Sequence, residues 1–202
     1  MFQFMKQPPS VLLPLLRSAF QGELLAWLFL HPEQEYPQVE LARRFEVTPS
    51  AVTREVDRLV AAGLVKERRL GNLRLIGADA EVVVARPLTE LLALTYGPVA
   101  VLPELLDDVP GVDEAYVYGS WAARYSGEPG GVPRDLDVLV VGEADEDDLY
   151  DVAREAERRL GREVNIRRMS RSSWESADAD PFLESLRSRP LVRLKLAEER
   201  SR

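Results

Sequence analysis

LARRFEVTPSAVTREVDRLVAAGLVKERRLGNLRL, residues 41–75, changes periodicity twice. Its first part closes a helix, Gln38–Phe45, which Pro37 opens and in which Val39, Leu41, Ala42 and Phe45 are apolar. Glu46-Val47 is a turn. Thr48 then offers a side-chain oxygen to the free amides of a second helix, and Pro49 suits the first helical position, where no N–H is needed. This helix, Ser50–Ala62, puts Val52, Val56, Leu59 and Val60 on one face, and Gly63 stops it. Leu64 to Arg69 alternates as a strand does, Gly71-Asn72 turns the chain, and Leu73–Ile76 returns.

Upstream, Val11–His31 reads as one or two helices, with Leu24, Trp27, Leu28 and His31 at i, i+3, i+4 and i+7. His31, the only histidine, stands at the helix end before Pro32 and reads as a C-terminal cap favoured by the helix dipole. Helix, short helix, tight turn, helix, hairpin is the order of a winged helix-turn-helix. The quoted stretch resembles the bacterial and archaeal winged-helix regulators of the ArsR/MarR type. The resemblance implies a transcription regulator with double-stranded DNA as partner and Ser50–Ala62 as recognition helix in the major groove. Ser50, Thr53, Arg54 and Arg58 would face bases and phosphates, and Lys66, Arg68, Arg69 and Arg74 of the wing would grip the backbone or minor groove. A polar face with two arginines is also what a solvated helix shows, and winged helices also dock proteins. Six basic against three acidic residues from Thr48 to Arg74 favour DNA. Glu55 and Asp57, in the same helix, would repel phosphate if they faced it.

The whole chain is 202 residues long, 46% hydrophobic and 30% charged, the composition of one large globular domain or two small ones. With no cysteine and one histidine, disulfides, thiolate metal sites and multi-histidine sites are excluded. The most apolar stretch, Leu24–Pro32, is too short to span a bilayer, and no cleavable signal pattern follows. A cytoplasmic protein with no membrane partner is expected. The net charge of −8 argues against nucleic acid until it is divided: residues 1–76 carry +2 and the rest −10. The expected organisation is a DNA-binding domain over 1–76, a helical connector over 77–108, and a second domain over 109–202. In the connector, Leu88, Leu91, Leu92 and Leu94, and then Val99, Val101, Leu102, Leu105 and Leu106, exceed what one small domain needs. They point either to a homodimer seam or to packing between the modules.

In the second domain, Val112–Tyr118 reads as a strand and runs directly into Gly119-Ser120 and a helical Trp121–Tyr125. After a Gly-Pro-rich loop, Arg134–Val141 is a strand with Asp135 and Asp137 at i and i+2, hence on one side, while Leu136 and Val138 point to the core. Adjacent carboxylates repel unless a cation lies between them. All-oxygen donors suit Mg²⁺ or Mn²⁺, and a Gly-Ser turn offers amides and a hydroxyl to phosphate.

YVYGSWAARYSGEPGGVPRDLDVLVVG, residues 116–142, resembles the minimal nucleotidyltransferases of the DNA polymerase β-like superfamily. The resemblance implies an α/β (α+β) chain in which a nucleotidyltransferase fold, a mixed sheet flanked by helices, follows the winged helix. It implies metal binding and catalysis at Asp135 and Asp137, and nucleotide binding at Gly119, Ser120 and Arg124. The ligand or substrate would be a nucleoside triphosphate with Mg²⁺ or Mn²⁺. The family's third carboxylate falls, after a helix Glu146–Leu160, on the strand Arg162–Arg167 at Asn165, with Glu163 on the same face. An amide orients or ligates but is no general base. Three functions stay open: a regulator whose second domain binds nucleotide as a sensor or for nucleotidyl transfer; a nucleotidyltransferase acting on a protein or RNA acceptor in an antitoxin-like role, with the winged helix as docking module; or a DNA-binding repressor whose second domain is an inactive scaffold. Of the late aromatics, Trp174 reads as packing or as a base-stacking platform, before a short helix Pro181–Arg187.

Overall fold

The structure, a computed structural model, describes residue 12 and residues 15–129, 133–176 and 181–197. Val11, the centre of the Gly-Pro loop, residues 177–180 and the extreme C-terminus lie outside the described residues. The chain divides into two compact units, Met1–Gly97 and Pro98–Arg202. The stretch 77–108, expected as a connector, is therefore shared between them.

The first unit runs α1 (Ala19–Phe29), β1 (Tyr36–Pro37), α2 (Gln38–Arg44), α3 (Pro49–Ala61), β2 (Val65–Leu70), β3 (Leu73–Ala78) and α4 (Ala85–Tyr96). Ser18 caps α1 and Thr48 caps α3 through their hydroxyls, on Gln21 N and Ala51 N. Two C-terminal closures of the same kind frame α3. Leu64 N donates to Leu59 O and Gly63 N to Val60 O after it, and Val47 N donates to Ala42 O and Glu46 N to Arg43 O before it. In the earlier one Glu46 takes the left-handed position at φ 52°, so the tight turn is held by its bonds against the residue's own preference.

The sheet order is β1-β3-β2, all antiparallel, with Val65 opposite Ala78. β3 thus runs through Gly77 and Ala78, where the sequence suggested that the module ends. The unit continues because α4 packs on α1 and buries Ala85 and Leu92 in the same core as Leu24, Leu28, Phe29, Val52 and Val56. Leu91 and Leu94 on α4 stay 42% and 51% exposed. His31 is buried, shares a bond with the Trp27 carbonyl through Nδ1 and lies tilted against the Trp27 ring, in keeping with a cap.

The second unit runs α5 (Pro98–Leu106), β4 (Val112–Tyr118), α6 (Gly119–Tyr125), β5 (Asp135–Gly142), α7 (Glu146–Leu160), β6 (Glu163–Met169), α8 (Arg171–Glu175), α9 (Pro181–Arg187) and β7 (Val192–Arg193). Its four-stranded sheet is mixed, in the order β6-β5-β4-β7, with β5 parallel to β6 and both outer pairings of β4 antiparallel. One sheet face lies under α5 and α7, where Val101, Leu102 and Leu106 meet Leu149, Val152, Ala156, Ala115, Val117, Leu136, Val138 and Val140. The apolar stretch 99–106 is thus consumed within this unit's core.

The other face is divided along its length. Leu139, Val141 and Met169 are covered by Leu183 and Leu186 of α9, with the Trp174 ring tilted against Tyr116, so Trp174 is a packing residue. The continuation of that face, with Asp135, Asp137, Glu163, Asn165 and Arg167, stays accessible. No helix among the described residues is long and apolar enough to cross a membrane.

Candidate functional site

Two surfaces carry the residues singled out in the sequence. On the first unit, α3 buries Val52, Val56 and Leu59 and turns Ser50, Arg54, Asp57 and Arg58 outward. Most of the expected DNA contacts are already engaged within the chain. Arg58 pairs with Glu55 at 3.0 Å. Glu55 is buried and also accepts from Gln21 Nε2, so it faces the core rather than a groove. Thr53 donates its hydroxyl to Pro49 O and accepts from Gln38 Nε2. The Ser50 hydroxyl lies 3.1 Å from that of Thr48.

In the wing, Lys66 pairs with Asp79 at 2.8 Å, and Arg68 forks onto Glu35 with its Nε 3.1 Å from Oε2. Arg74 is held between Asp57 and Glu67. The hydrogen bond from Arg68 holds the Glu35 carboxyl below its ordinary range, and that from Lys66 does the same for Asp79. Arg54 and Arg69 are exposed and have no ion-pair partner among the described residues, and Arg43 of α2 joins them. Nothing local announced this division, since Glu35 and Arg68 are 33 positions apart.

The MarR family model matches residues 20–72, from α1 to the tip of the wing. The N-terminal unit carries a MarR-family winged helix-turn-helix domain. A MarR-family domain of this kind is a DNA-binding domain of transcription regulators, and regulators of the family bind DNA, typically as dimers.

Among solved structures the chain is similar to the transcriptional regulator BldR from Sulfolobus solfataricus, at 26% identity over 46% of this chain and 63% of that one, with a TM-score of 0.34. It is similar to E. coli MarR in its apo form, at 26% identity over 43% and 63%, TM-score 0.34. A ZitR mutant from Lactococcus lactis gives 23% identity over 39% and 51%, TM-score 0.32. The chain thus spans about half to under two thirds of these proteins. No curated protein matches it.

The second surface is the open half of the sheet in the other unit. The register sets Tyr118, Asp137 and Asn165 side by side across β4, β5 and β6, with Asp135 beside Glu163. Burial pushes the Asp137 carboxyl above its ordinary value and the charge of Asp135 adds to this; hydrogen bonding from the Asn165 amide draws it back, and Glu163 raises it again. Gly119 sits directly against this carboxylate. A side chain there would begin 2.5 Å from Asp137 Oδ2, and its φ of 71° is one that glycine takes freely. Ser120 is exposed at the start of α6, whereas Arg124 donates Nη1 to the Glu128 carbonyl and so holds the exit of its own helix.

Among the described residues no group of three or more His, Cys, Asp or Glu is arranged to hold a metal ion. Asp135 and Asp137 fit the lesser demand of Mg²⁺, which takes one or two carboxylates and fills its shell from water and phosphate. Their mutual repulsion, felt in the raised Asp137, is what such a cation relieves. Tyr118 lies opposite Asp137, and Arg167 and Phe182 follow further along the same face; none of the three was given a role in the sequence. The two-residue period of β6 that aligned Glu163 with Asn165 extends to Arg167 and is the signal for it.

An acid whose native value lies above its unfolded one favours folding when protonated and opposes it when ionised. Asp137→Asn is therefore expected to raise stability at pH 7. The gain should shrink as the pH falls through the carboxylate range. Urea titrations at pH 7 and pH 4 check this, and a loss of stability at pH 7 contradicts it.

Proposed function

We propose that the protein is a DNA-binding transcription regulator acting as a homodimer, whose second unit binds a nucleoside triphosphate with Mg²⁺ or Mn²⁺ and thereby sets DNA affinity. The observation that carries the first half is the MarR-family match from α1 through the wing, on a unit that leaves Arg54 and Arg69 uncommitted. The apolar, exposed Leu91 and Leu94 on α4 support the dimer.

For the second half, the support is Asp137 set against Gly119, with Asp135 on the same side of β5, in a strand, Gly-Ser, helix, strand order like that of the minimal nucleotidyltransferases. In this reading Asp135 and Asp137 hold the metal, which neutralises them and draws in phosphate oxygens. Gly119 leaves room for that approach, and Ser120 offers its hydroxyl. Asn165 beside Asp137 orients the carboxylate but accepts no proton, which favours sensing over nucleotidyl transfer.

The test is retention of genomic DNA fragments by the full chain, with and without MgCl₂ and each nucleoside triphosphate. Sequence-selective retention that changes with nucleotide supports the proposal. Retention indifferent to every nucleotide removes the sensing half, and no retention at all removes the whole.

A further inference from the structure

Arginines abound in the second unit, and most are spoken for. Arg162 donates to the Pro133 carbonyl, Arg168 to the Ala144 carbonyl and toward Glu146, Arg171 to Asp113, and Arg193 pairs with Glu114. Arg167 differs. It is exposed, it shares its sheet face with Asp135, Asp137 and Glu163, and it pairs with none of them or with any other acid among the described residues. Its guanidinium carbon instead lies 3.8 Å from the centre of the Phe182 ring. The ring is itself fixed edge-on against Tyr118, with centroids 6.0 Å apart.

A guanidinium over a ring gains from the π face while its N–H groups stay able to donate. Phe182 thus holds the guanidinium, whose N–H groups have no hydrogen-bond partner among the described residues. Arg167 is in register with Leu139, where the face turns from open and polar to covered and apolar. Its charge reaches Tyr118 on the neighbouring strand: burial and Asp137 push that phenol up, and Arg167 pulls it back.

We propose that Arg167, braced on Phe182, is the phosphate-binding group of this face, taking the polyphosphate of a nucleoside triphosphate whose metal sits on Asp135 and Asp137. This deepens the nucleotide reading above and rests on it. Along β6, Arg167 lies two residues beyond Asn165, roughly 7 Å of strand. The cation is thus set apart from the carboxylates and adds a second point of attachment for an extended anion. A planar fork suits phosphate oxygens bidentately.

The experiment is calorimetric titration of the full chain in MgCl₂ with ATP, GTP, inorganic triphosphate, adenosine and guanosine, on wild type, Arg167→Met, Arg167→Lys and Phe182→Leu. The expected result is a loss of about tenfold or more in triphosphate binding for Arg167→Met, with nucleoside binding unchanged. Arg167→Lys should recover part of the loss, and Phe182→Leu should fall between. Wild-type binding of ATP or GTP that Arg167→Met leaves intact overturns the role of Arg167 and spares the nucleotide reading. Equal losses for nucleosides and triphosphates also overturn it, marking a structural residue. Arg167-dependent binding of inorganic triphosphate without binding of ATP or GTP keeps the anion site and overturns the nucleotide reading. Binding of none of the five ligands by wild type overturns both.

Discussion

Alanine at Arg54 and Arg69 together is expected to weaken binding of double-stranded DNA by about a hundredfold or more, at two contacts worth roughly 1–3 kcal/mol each. Arg54 lies on the exposed face of α3 and Arg69 on the exposed β2 strand of the wing, and neither has an acid to fall back on among the described residues. A phosphate or guanine edge gains the whole of such a group. Arg68 and Arg74 are already committed, the first to Glu35 and the second to Asp57 and Glu67. DNA would have to displace a carboxylate to recruit either one, so the gain is a difference between two similar interactions. Arg68→Ala is accordingly expected to weaken binding only about threefold, within the range of an exposed pair. Fluorescence anisotropy with a labelled duplex retained by the wild type measures both. A double variant that binds like wild type, or an Arg68→Ala loss as large as that of the double variant, contradicts this division of the cations.

Gly142→Ala is expected to destabilise the second unit by about 3 kcal/mol or more, lowering its melting temperature by roughly 10–20 °C. Gly142 ends β5 at φ 139°, a conformation that side chains other than hydrogen rarely take. A Cβ there would stand 2.1 Å from the Gly111 carbonyl oxygen and 3.1 Å from Asp113 N. Both obstacles are backbone, so no change of rotamer relieves them. The carbonyl is also occupied, accepting from Glu143 N at 2.8 Å, and the β4–β5 register shifts between Val112 and Glu114 just beyond it. Moving it therefore disturbs the pairing that sets Tyr118 opposite Asp137. Thermal unfolding followed by circular dichroism checks the expectation, and an unchanged midpoint contradicts it.

What was legible in the sequence follows from how local its cause is. α7 begins at the Asp145 cap and ends before Gly161, and it lies over 146–160 as its pattern requires. β4 matches Val112–Tyr118, and α3 differs from its expected span by one residue at each end. The two-residue strands β1 and β7 carry no period to read. They exist because β3 and β4 offer them unpaired edges, which is a property of the finished sheet. The end of the first unit was obscured in the same way. Gly77-Ala78-Asp79-Ala80 reads as a break, yet what decides is whether α4 finds a partner, and it finds α1. At the carboxylate face, the i and i+2 rule placed Asp135 and Asp137 on one side. That Phe182, from a helix 45 positions beyond Asp137, would follow along the same face is tertiary. The fate of the wing cations was equally out of reach, because charge can be counted along a chain but pairing cannot.

Those intrachain carboxylates act as counter-ions built into the protein. A free arginine that meets a phosphate expels the small cations condensed on the nucleic acid, and the entropy of that release makes ordinary protein–DNA affinity fall steeply as salt is added. Where Glu35, Asp79, Asp57, Glu67 and Glu55 already neutralise the basic side chains, an approaching duplex has fewer unshielded charges to exchange. With Arg54 and Arg69 the two of the six expected contacts that have no ion-pair partner among the described residues, the logarithm of affinity should fall about two units per tenfold rise in salt for each winged helix, rather than the about five that six bare cations would give. A domain built this way holds its grip through swings in ionic strength, and shape and base contacts carry more of its choice of site.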